Sequence, residues 1–273
     1  MSNQTTGLNR SGNDTFFTKK EVASQCVEFT KKFIDYKSNN VIVEPSAGDG
    51  AFIEPIKQLD TTHIFFDIKP LHPDIMEVDY LTLNIEKDAE KSYHVIGNPP
   101  FGRQSNLAIQ FLKRSAIYAA SISMILPKSF RKSSMQKYID PNFHLEGELE
   151  LPENCFLIDG HIEHNVPCVF QVWVRKSYPR KIEEKLEPIG YKFVKKEEEP
   201  DISFRRVGVN AGVIDENINK SEQSHYFIRF DNRDNIVEYI EIFRDAKFLS
   251  SNDTVGPKSI SKQEIIKLIK IGN

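Results

Sequence analysis

The sequence has few cysteines and no long apolar run. Its three cysteines are Cys26, Cys155 and Cys168, and no two of them have the CxxC spacing of a zinc ribbon. An odd number without that spacing favours a reducing compartment, where buried cysteines act as small apolar residues. The first fifteen residues are polar rather than a signal peptide, and no stretch approaches the roughly 18 apolar residues of a membrane span. The sequence therefore predicts a cytoplasmic protein that does not enter a membrane.

The chain also lacks an excess of charge of either sign. Its 36 Lys and Arg residues against 39 Asp and Glu residues give a net charge of -3. Overall charge therefore does not indicate a polyanionic partner, and any basic surface must be local. Hydrophobic residues make up 39% of the chain, which is enough for a buried core. A length of 273 residues fits one large domain with or without a small appendage.

One short segment has an unusual combination of apolar residues and prolines. Residues 95–101 read Val-Ile-Gly-Asn-Pro-Pro-Phe, which predicts a buried strand that ends at Asn98. Proline fixes φ and removes a backbone donor, so Pro99 and Pro100 make a stiff loop that presents acceptors. The Asn98 side-chain oxygen and the Pro99 carbonyl can face one amine, and Phe101 adds an aromatic face. This set suits an exocyclic amine on a flat ring, although X-Pro-Pro also occurs in ordinary turns.

A glycine-rich turn precedes this segment by about fifty residues. Residues 41–43 predict a short strand, and Glu44-Pro45-Ser46-Ala47-Gly48-Asp49-Gly50 follows them before a helical pattern. Strand, glycine-rich turn and helix is typical of a nucleoside-cofactor site, because glycine lets a ligand approach the backbone. The GxxxxGK[ST] phosphate loop is missing. A carboxylate at Glu44 would repel a pyrophosphate and attract a cationic or amine-bearing ligand.

Two aspartates follow the next strand-like segments. Asp67 ends the segment 63–67, about twenty residues beyond the glycines, where such folds hold ribose hydroxyls. A helix cap or a surface charge is the alternative for Asp67. Asp79 lies in the segment 75–81 and could accept from an adenine amine or belong to a solvated turn.

The alternation of strand and helix patterns predicts an α/β domain with a mostly parallel sheet and helices on both faces. Thr18 and Glu21 have capping-box spacing at the start of a helix that extends to about residue 37. Residues 143–151 and 166–174 predict two antiparallel strands. The predicted division is a disordered segment 1–14, a core 15–176, a charged linker 177–200 and a small α+β region 201–273 for substrate recognition or packing.

Together these motifs resemble, in the same order, those of class I S-adenosylmethionine-dependent amino-methyltransferases. The resemblance rests on Phe16-Phe17-Thr18, residues 44–52, Asp67, Asp79, Asn98-Pro99-Pro100-Phe101 and Ile125-Leu126-Pro127-Lys128-Ser129-Phe130. It covers roughly residues 15–175 and favours the N6-adenine DNA enzymes in which the cofactor motif precedes the catalytic one. It implies a Rossmann-like, seven-stranded, mostly parallel sheet, the cofactor S-adenosylmethionine and methyl transfer to the N6 amine of adenine in DNA.

The resemblance also implies roles for individual residues. Asn98, Pro99, Pro100 and Phe101 would form the catalytic loop, in which Phe101 stacks on the base and no metal is required. The cofactor-binding residues would be Phe17, Thr18, Glu44, Pro45, Gly48, Gly50, Asp67, Asp79 and Asn98. Within that set, Asp67 would hold the ribose hydroxyls and Asp79 the adenine amine, while Phe17 and Thr18 would line the methionine part.

A local excess of basic residues follows the catalytic loop. Seven Lys or Arg residues and one acid lie between Phe101 and Asp140. The predicted nucleic-acid contacts are Arg103, Lys128, Arg131 and Lys132, with Arg205 and Arg206 in the C-terminal region. Solvated lysines on helix surfaces are the alternative. His161 and His164 are predicted to be surface histidines rather than substrate contacts. DNA is preferred over RNA as partner, and a homodimer or a partner subunit is left open.

Other planar nitrogens remain as alternative substrates. Relatives with similar loops methylate adenine in RNA, the N4 amine of cytosine or the amide of glutamine in release factors. The C-terminal region is shorter than the recognition region of sequence-specific members. A second class of hypothesis is a partner subunit that binds S-adenosylmethionine or nucleic acid without turnover.

Overall fold

The computed structural model describes residues 16–86, 88–158, 161–248, 252–253 and 256–271. The segment 1–14, predicted to be disordered, lies outside the described residues. Residue contacts separate the chain into two compact units, of which the first ends at Ile182 and the second begins at Glu183. Nowhere in the described ranges is a helix both long and apolar enough to cross a membrane.

The N-terminal unit contains ten strands and four helices within the described ranges. The strands are β1 (Phe16–Thr18), β2 (Asn40–Glu44), β3 (Thr62–Asp67), β4 (Met76–Glu77), β5 (Ser92–Gly97), β6 (Ser121–Pro127), β7 (Phe143–Glu150), β8 (Phe156–Ile158), β9 (Ile162–His164) and β10 (Cys168–Arg175). The helices are α1 (Lys20–Thr30), α2 (Ile53–Lys57), α3 (Asn106–Ala116) and α4 (Ser133–Gln136). A 3-10 turn, Lys128–Arg131, joins β6 to α4.

Seven of these strands form the central sheet, in the order β4-β3-β2-β5-β6-β10-β7. The pairs among β4, β3, β2, β5 and β6 are parallel, whereas β10 pairs antiparallel with both β6 and β7. The predicted seven-stranded, mostly parallel sheet is therefore confirmed, including the antiparallel pairing of its last two strands. Its parallel strands are runs of apolar residues because both of their faces are buried.

Strand β2 shows how both faces of the sheet are covered. Val41 and Val43 pack in one cluster with Phe111 and Leu112 of α3. Ile42 lies between the two valines, points to the opposite face and is 0% exposed. Because successive side chains of a strand alternate between faces, burial of all three residues requires cover on both sides.

Helix α1 begins differently from the prediction. Its N-cap residue is Lys19, which makes no side-chain capping bond, so the predicted capping box of Thr18 and Glu21 is wrong. Thr18 instead ends β1, a strand that the sequence did not predict, and its hydroxyl is engaged by Asn98. The helix also ends at Thr30 rather than near residue 37.

Strand β1 belongs to a second, three-stranded sheet with the order β1-β8-β9. Both of its pairings are antiparallel, and Thr18 lies opposite Phe156, which in turn lies opposite His164. β1 precedes β8 and β9 by more than a hundred positions in the chain. This sheet brings the segment before α1 next to the proline loop 98–101, where Thr18 contacts Asn98.

The C-terminal unit is an α+β unit with its own core. Its described elements are β11 (Tyr191–Val194), β12 (Ile202–Arg205), β13 (Ile214–Asp215), β14 (His225–Phe230), α5 (Ile236–Asp245) and α6 (Lys262–Leu268). The antiparallel strands have the order β11-β14-β12-β13. Phe204 and Ile228 of this sheet cluster with Phe243 of α5 and Ile265 of α6. Ser261 caps α6 through a complete capping box with Glu264.

One part of the predicted linker is a strand. Residues 177–200 were expected to form a charged connection, but β11 lies inside this range and pairs with β14. Tyr191 and Phe193 alternate with the exposed Lys192, and both aromatic rings pack against the C-terminal core. The sequence did not predict strand β11, because its alternating segment is short and many charged residues surround it.

Arg180 fastens the end of the N-terminal unit to the sheet. Its guanidinium donates to the main-chain carbonyls of Gln136, Ile139, Asp140 and Phe143 at 2.7–2.9 Å. The same group lies 5.3 Å from the Trp173 ring centroid. We expect Arg180→Ala to lower the free energy of unfolding by about 2–4 kcal/mol, because four carbonyls lose a charged donor. Denaturant unfolding measures this, and exposed Lys181→Ala is the matched control, with a change below about 0.5 kcal/mol.

Candidate active site

The two motifs meet at the carboxyl edge of the central sheet. Strands β2 and β5 are parallel neighbours, so their ends at Glu44 and Gly97 lie at the same edge. The approach is close, since a Cβ atom at Gly97 would lie 3.2 Å from Cγ of Glu44. In open α/β sheets this edge is where ligands bind. The glycine turn that follows β2 and the proline loop that follows β5 are therefore neighbours, although fifty residues separate them.

Asn98 is held from two directions. Its side-chain Nδ2 donates to Oγ1 of Thr18 at 3.2 Å, and its main-chain carbonyl accepts from the Ser46 hydroxyl at 3.0 Å. The other end of the amide, Oδ1, is shielded from solvent and has no hydrogen-bond partner among the described residues. Buried polar atoms are normally paired. An orphaned acceptor at this edge is therefore available for a donor that a ligand brings.

The rest of the proline loop is anchored by α3. The Phe101 carbonyl accepts from the main-chain N–H groups of Leu107 and Ala108 at 3.2 and 3.4 Å. Gly102 joins loop and helix at φ +67°, and a Cβ atom there would lie 2.8 Å from the Leu107 side chain, so the position requires glycine. Pro99 is buried, and within the described ranges its carbonyl has no hydrogen-bond partner. The loop thus carries a second unused acceptor beside Asn98.

The aromatic residue of the loop sits against the small sheet. The Phe101 ring is half-buried and meets the Phe156 ring edge to face, with centroids 6.5 Å apart. Phe156 also contacts Phe16, and Phe16 stacks on His164 at a centroid distance of 4.9 Å. Sequence reasoning missed Phe156, because Phe156-Leu157-Ile158 is too short an apolar run to stand out. Pro100 is exposed at the outside of the loop.

Asp67 supports the glycine turn. One oxygen of its carboxylate accepts from the Gly48 N–H and the other from the Lys69 N–H, both at 2.8 Å. Gly48 and Gly50 have φ values of +54° and +86°, in the region that favours glycine. The Phe17 ring would lie 3.2 Å from a Cβ atom at Gly48. The structure therefore brings Phe17, both glycines and Asp67 together.

Asp79 lies near this group but on the surface. It is exposed, and its Oδ1 accepts from the Leu81 N–H at 2.9 Å in a local turn. The preceding residue, Val78, donates its N–H to the Asp67 carbonyl at 2.9 Å. The strand in this region, β4, contains only Met76 and Glu77, so the predicted strand over 75–81 is shorter than expected.

Glu44 is a buried carboxylic acid next to the proline loop. Its side chain is 1% exposed, and its Oε2 has no hydrogen-bond partner among the described residues. Burial, with smaller contributions from Asp49 and Asp67, raises the pKa of Glu44 well above its usual range. Pro45 covers the same edge, since its Cδ would lie 3.5 Å from a Cβ atom at Gly97. The site therefore holds a further unsatisfied polar atom, on a group that can donate when protonated and attract a cation when ionised.

The raised pKa of Glu44 predicts a pH-dependent cost to stability. The unfolded chain ionises this carboxyl near its ordinary pKa, whereas the folded chain resists ionisation, so stability falls as pH rises above that value. We expect Glu44→Gln to be more stable than the wild type by about 1–3 kcal/mol at pH 8, with a difference that shrinks towards pH 4. Urea unfolding across this range measures it. Exposed Glu54→Gln is the control, and a difference that stays constant with pH would contradict the assignment.

The basic residues near the loop are partly neutralised. Arg131 Nε lies 2.8 Å from a Glu148 oxygen, and Arg131 also pairs with Glu150, which forms an ion pair with Lys128. Counting charges between Phe101 and Asp140 missed these two acids, because they lie on β7, beyond the counted segment. Arg103 is exposed and Lys132 half-buried. The basic residues predicted to contact nucleic acid therefore carry less net positive charge than the sequence indicates.

Arg205 and Arg206 belong to the C-terminal unit. Arg205 Nε donates to the Val207 carbonyl at 3.2 Å. Arg206 stacks on Tyr226, with its guanidinium carbon 5.2 Å from the ring centroid, and donates to the Tyr226 hydroxyl at 3.3 Å. Both guanidinium groups thus have local partners within this unit.

His161 and His164 differ in their surroundings. His161 is exposed, as predicted, and it precedes β9. His164 ends β9 and is half-buried, with a solvent-shielded Nε2 that has no hydrogen-bond partner among the described residues. The expectation of a surface histidine is therefore wrong for His164, because antiparallel pairing of β8 with β9 carries it to the Phe16 ring.

Comparisons with known proteins give likeness of fold alone. No protein-family model matches the chain, and no curated protein matches it. Similar solved structures include a protein from Listeria monocytogenes assigned as a class I S-adenosylmethionine-dependent methyltransferase, with 15% identity, a TM-score of 0.45 and coverage of 62% of this chain and 64% of that one. A protein from Pyrococcus horikoshii assigned as an RNA methyltransferase has 16% identity and a TM-score of 0.42, with coverage of 57% and 84%.

A third similar structure matches most of this chain. It is the methyltransferase subunit of a type I restriction-modification system from Streptococcus thermophilus, with 10% identity, a TM-score of 0.45 and coverage of 92% of this chain and 60% of that one. The chain thus spans less than two thirds of the Listeria and Streptococcus proteins. At such identities and TM-scores, these likenesses carry no conclusion about reaction or substrate.

Proposed function

We propose that the protein is an S-adenosylmethionine-dependent methyltransferase that acts on the exocyclic N6 amine of adenine in DNA. The observation that carries the proposal is the orphaned Oδ1 of Asn98, which lies beside the unused Pro99 carbonyl at the sheet edge shared with the glycine turn. Two acceptors on one rigid loop match the two N–H bonds of a primary amine. An aromatic ring at Phe101 completes a site for an amine on a flat ring.

The residues of the glycine turn fit the proposed cofactor. Gly48 and Gly50 keep the turn free of side chains, Asp67 presents carboxylate oxygens for ribose hydroxyls, and the unsatisfied Glu44 carboxyl would face the cationic methionine part. Phe17 would lie against the same part, and Pro45 would border it. Asp79 is the proposed acceptor for the cofactor's adenine amine. When bound, the cofactor supplies an electrophilic methyl group on a sulfonium.

The chemistry required of the protein is positioning. The amine of adenine is a poor nucleophile because its lone pair is delocalised into the ring. Asn98 Oδ1 and the Pro99 carbonyl would each accept one N–H bond, which draws the nitrogen towards tetrahedral geometry and frees its lone pair for in-line attack. The bound cofactor would supply the methyl group and its sulfur would keep the bonding electron pair, while the surplus proton on the substrate nitrogen would pass to solvent. Preorganised dipoles and proximity account for the acceleration, without a side-chain base.

A duplex substrate would have to present its adenine outside the helix. Phe101 offers a ring face for the extruded base, and Arg103, exposed two residues after it, is the proposed contact with a nearby phosphate. Lys132 is a further candidate at the end of the 3-10 turn, with Lys128 and Arg131 contributing less because of their acidic partners. Arg205 and Arg206 are proposed contacts from the C-terminal unit, which would serve substrate recognition.

The same acidic partners favour a second candidate, adenine in single-stranded RNA. Glu148 and Glu150 reduce the positive charge available for a duplex backbone, whereas an unpaired base needs fewer phosphate contacts to reach the site. Labelled methyl transfer to duplex DNA, single-stranded RNA and protein pools, followed by nucleoside analysis, decides between them. N6-methyladenosine from RNA would replace the DNA proposal, and no transfer to any pool with intact cofactor binding would favour a non-catalytic partner.

A further inference from the structure

The hydroxyl of Thr18 is turned towards Asn98. Thr18 is the last residue of β1 and is 5% exposed, and its Oγ1 accepts from Asn98 Nδ2 at 3.2 Å. Resemblance to known enzymes assigned this residue to the methionine part of the cofactor. In the structure the hydroxyl is instead bonded to the residue that would grip the substrate amine.

An asparagine amide needs such a partner to present one particular end. Its oxygen and nitrogen ends have nearly the same shape, so rotation by 180° exchanges an acceptor for a pair of donors at little steric cost. If the Asn98 amide presented its NH2 group instead, the N–H bonds of that group would face the N–H bonds of the substrate amine. No hydrogen bond could then form between the two groups. In the structure the Thr18 hydroxyl accepts from Nδ2 while Oδ1 is the unpaired atom, so this contact holds the amide with its acceptor end free.

The position of Thr18 is fixed by the small sheet. Thr18 lies opposite Phe156 in the β1 and β8 pairing, and Phe156 contacts the Phe101 ring. Ser46 completes the arrangement from the other side, since its hydroxyl donates to the Asn98 main-chain carbonyl at 3.0 Å. The backbone of Asn98 is thus held by the glycine turn and its amide by β1.

We propose that Thr18 is a positioning residue that holds the Asn98 amide in the orientation in which Oδ1 faces the substrate amine. The expected effect on turnover rests on the proposed function. The hydrogen bond between Asn98 and Thr18 can be tested separately, in the cofactor-free protein. According to this proposal, the β1-β8-β9 sheet contributes to catalysis by holding Asn98. It does not need to contact the methyl donor directly.

Thr18→Val is the informative variant, because valine keeps the shape and β-branching of threonine and loses only the hydroxyl. We expect kcat to fall about 10- to 100-fold, the cost of one misdirected hydrogen-bonding group, with the cofactor Kd within about threefold of the wild type. Thr18→Ser restores the hydroxyl and is expected to recover kcat. Thermal unfolding confirms that both variants are folded.

A second measurement does not depend on turnover. In 15N-correlated spectra of the cofactor-free protein, the Asn98 side-chain amide pair is identified by its loss in Asn98→Ala. We expect this pair to shift in Thr18→Val and to stay near its wild-type position in Thr18→Ser. An unchanged pair in Thr18→Val would overturn the proposal even if the wild type transferred no methyl group. If the wild type is active, two kinetic results would also overturn the proposal. One is a normal kcat for Thr18→Val, and the other is a Thr18→Val variant in which only the cofactor affinity is reduced.

Discussion

Asn98→Ala is expected to lower methyl transfer by about a thousandfold or more, while the cofactor Kd stays within about threefold. The substitution removes the buried Oδ1 that would accept an N–H bond of the substrate amine. Removal of one preorganised polar group of this kind typically costs 10²–10³-fold in turnover. The alanine also releases Thr18, so the loop loses a tether as well. Single-turnover transfer with saturating cofactor measures the chemical step, and calorimetry measures binding.

Asn106→Ala is the matched control for this variant. Asn106 is the first residue of α3, close to the same loop in sequence, and its side chain is exposed. We expect it to retain turnover within about twofold. Near-wild-type turnover of Asn98→Ala, with cofactor binding intact, would contradict the proposed role. Equal losses in both variants would indicate damage to the loop rather than loss of an acceptor.

The central sheet was predictable because its strands have a strong local signal. Residues 41–43 and 123–127 are apolar runs bounded by turn residues, and a parallel strand buried on both faces has that appearance. The meeting of Glu44 and Asn98 also followed from the sequence, because parallel strands place their carboxyl ends at one edge. For the central sheet, the strand propensity of these segments and the parallel arrangement of the strands predict the same structure. The fold of the core could therefore be derived from the sequence.

The features that the sequence did not reveal depend on contacts between distant segments. Strand β1 is three residues long and is stabilised by antiparallel pairing with β8, which no local pattern announces. Glu148 and Glu150 neutralise Arg131 only because β7 lies beside the 3-10 turn that carries it. Likewise, the sequence shows an acid at Glu44 but not its burial, which is what raises the pKa of this carboxyl.

Asp67→Ala is expected to weaken cofactor binding about 100-fold. The carboxylate holds the Gly48 N–H and the Lys69 N–H, so its loss would both remove the proposed ribose acceptor and loosen the turn that carries the glycines. Loss of hydrogen bonds to a charged group costs about 1.5–3 kcal/mol, or about 10- to 150-fold in affinity, and the expected factor lies in the upper part of this range. Calorimetric titration with S-adenosylmethionine measures the affinity, and thermal unfolding reports the loosened turn.

Two further variants separate the two roles of Asp67. Asp67→Asn keeps one acceptor oxygen, and if that oxygen still holds the Gly48 N–H the turn should remain folded while a ribose contact through the second oxygen is lost. We therefore expect a weaker Kd with a smaller loss of stability than in Asp67→Ala, because only the bond from the Lys69 N–H is lost. Asp60→Ala, an exposed aspartate before β3, is the control and should bind normally. Wild-type affinity in both Asp67 variants would remove Asp67 from the proposed cofactor site.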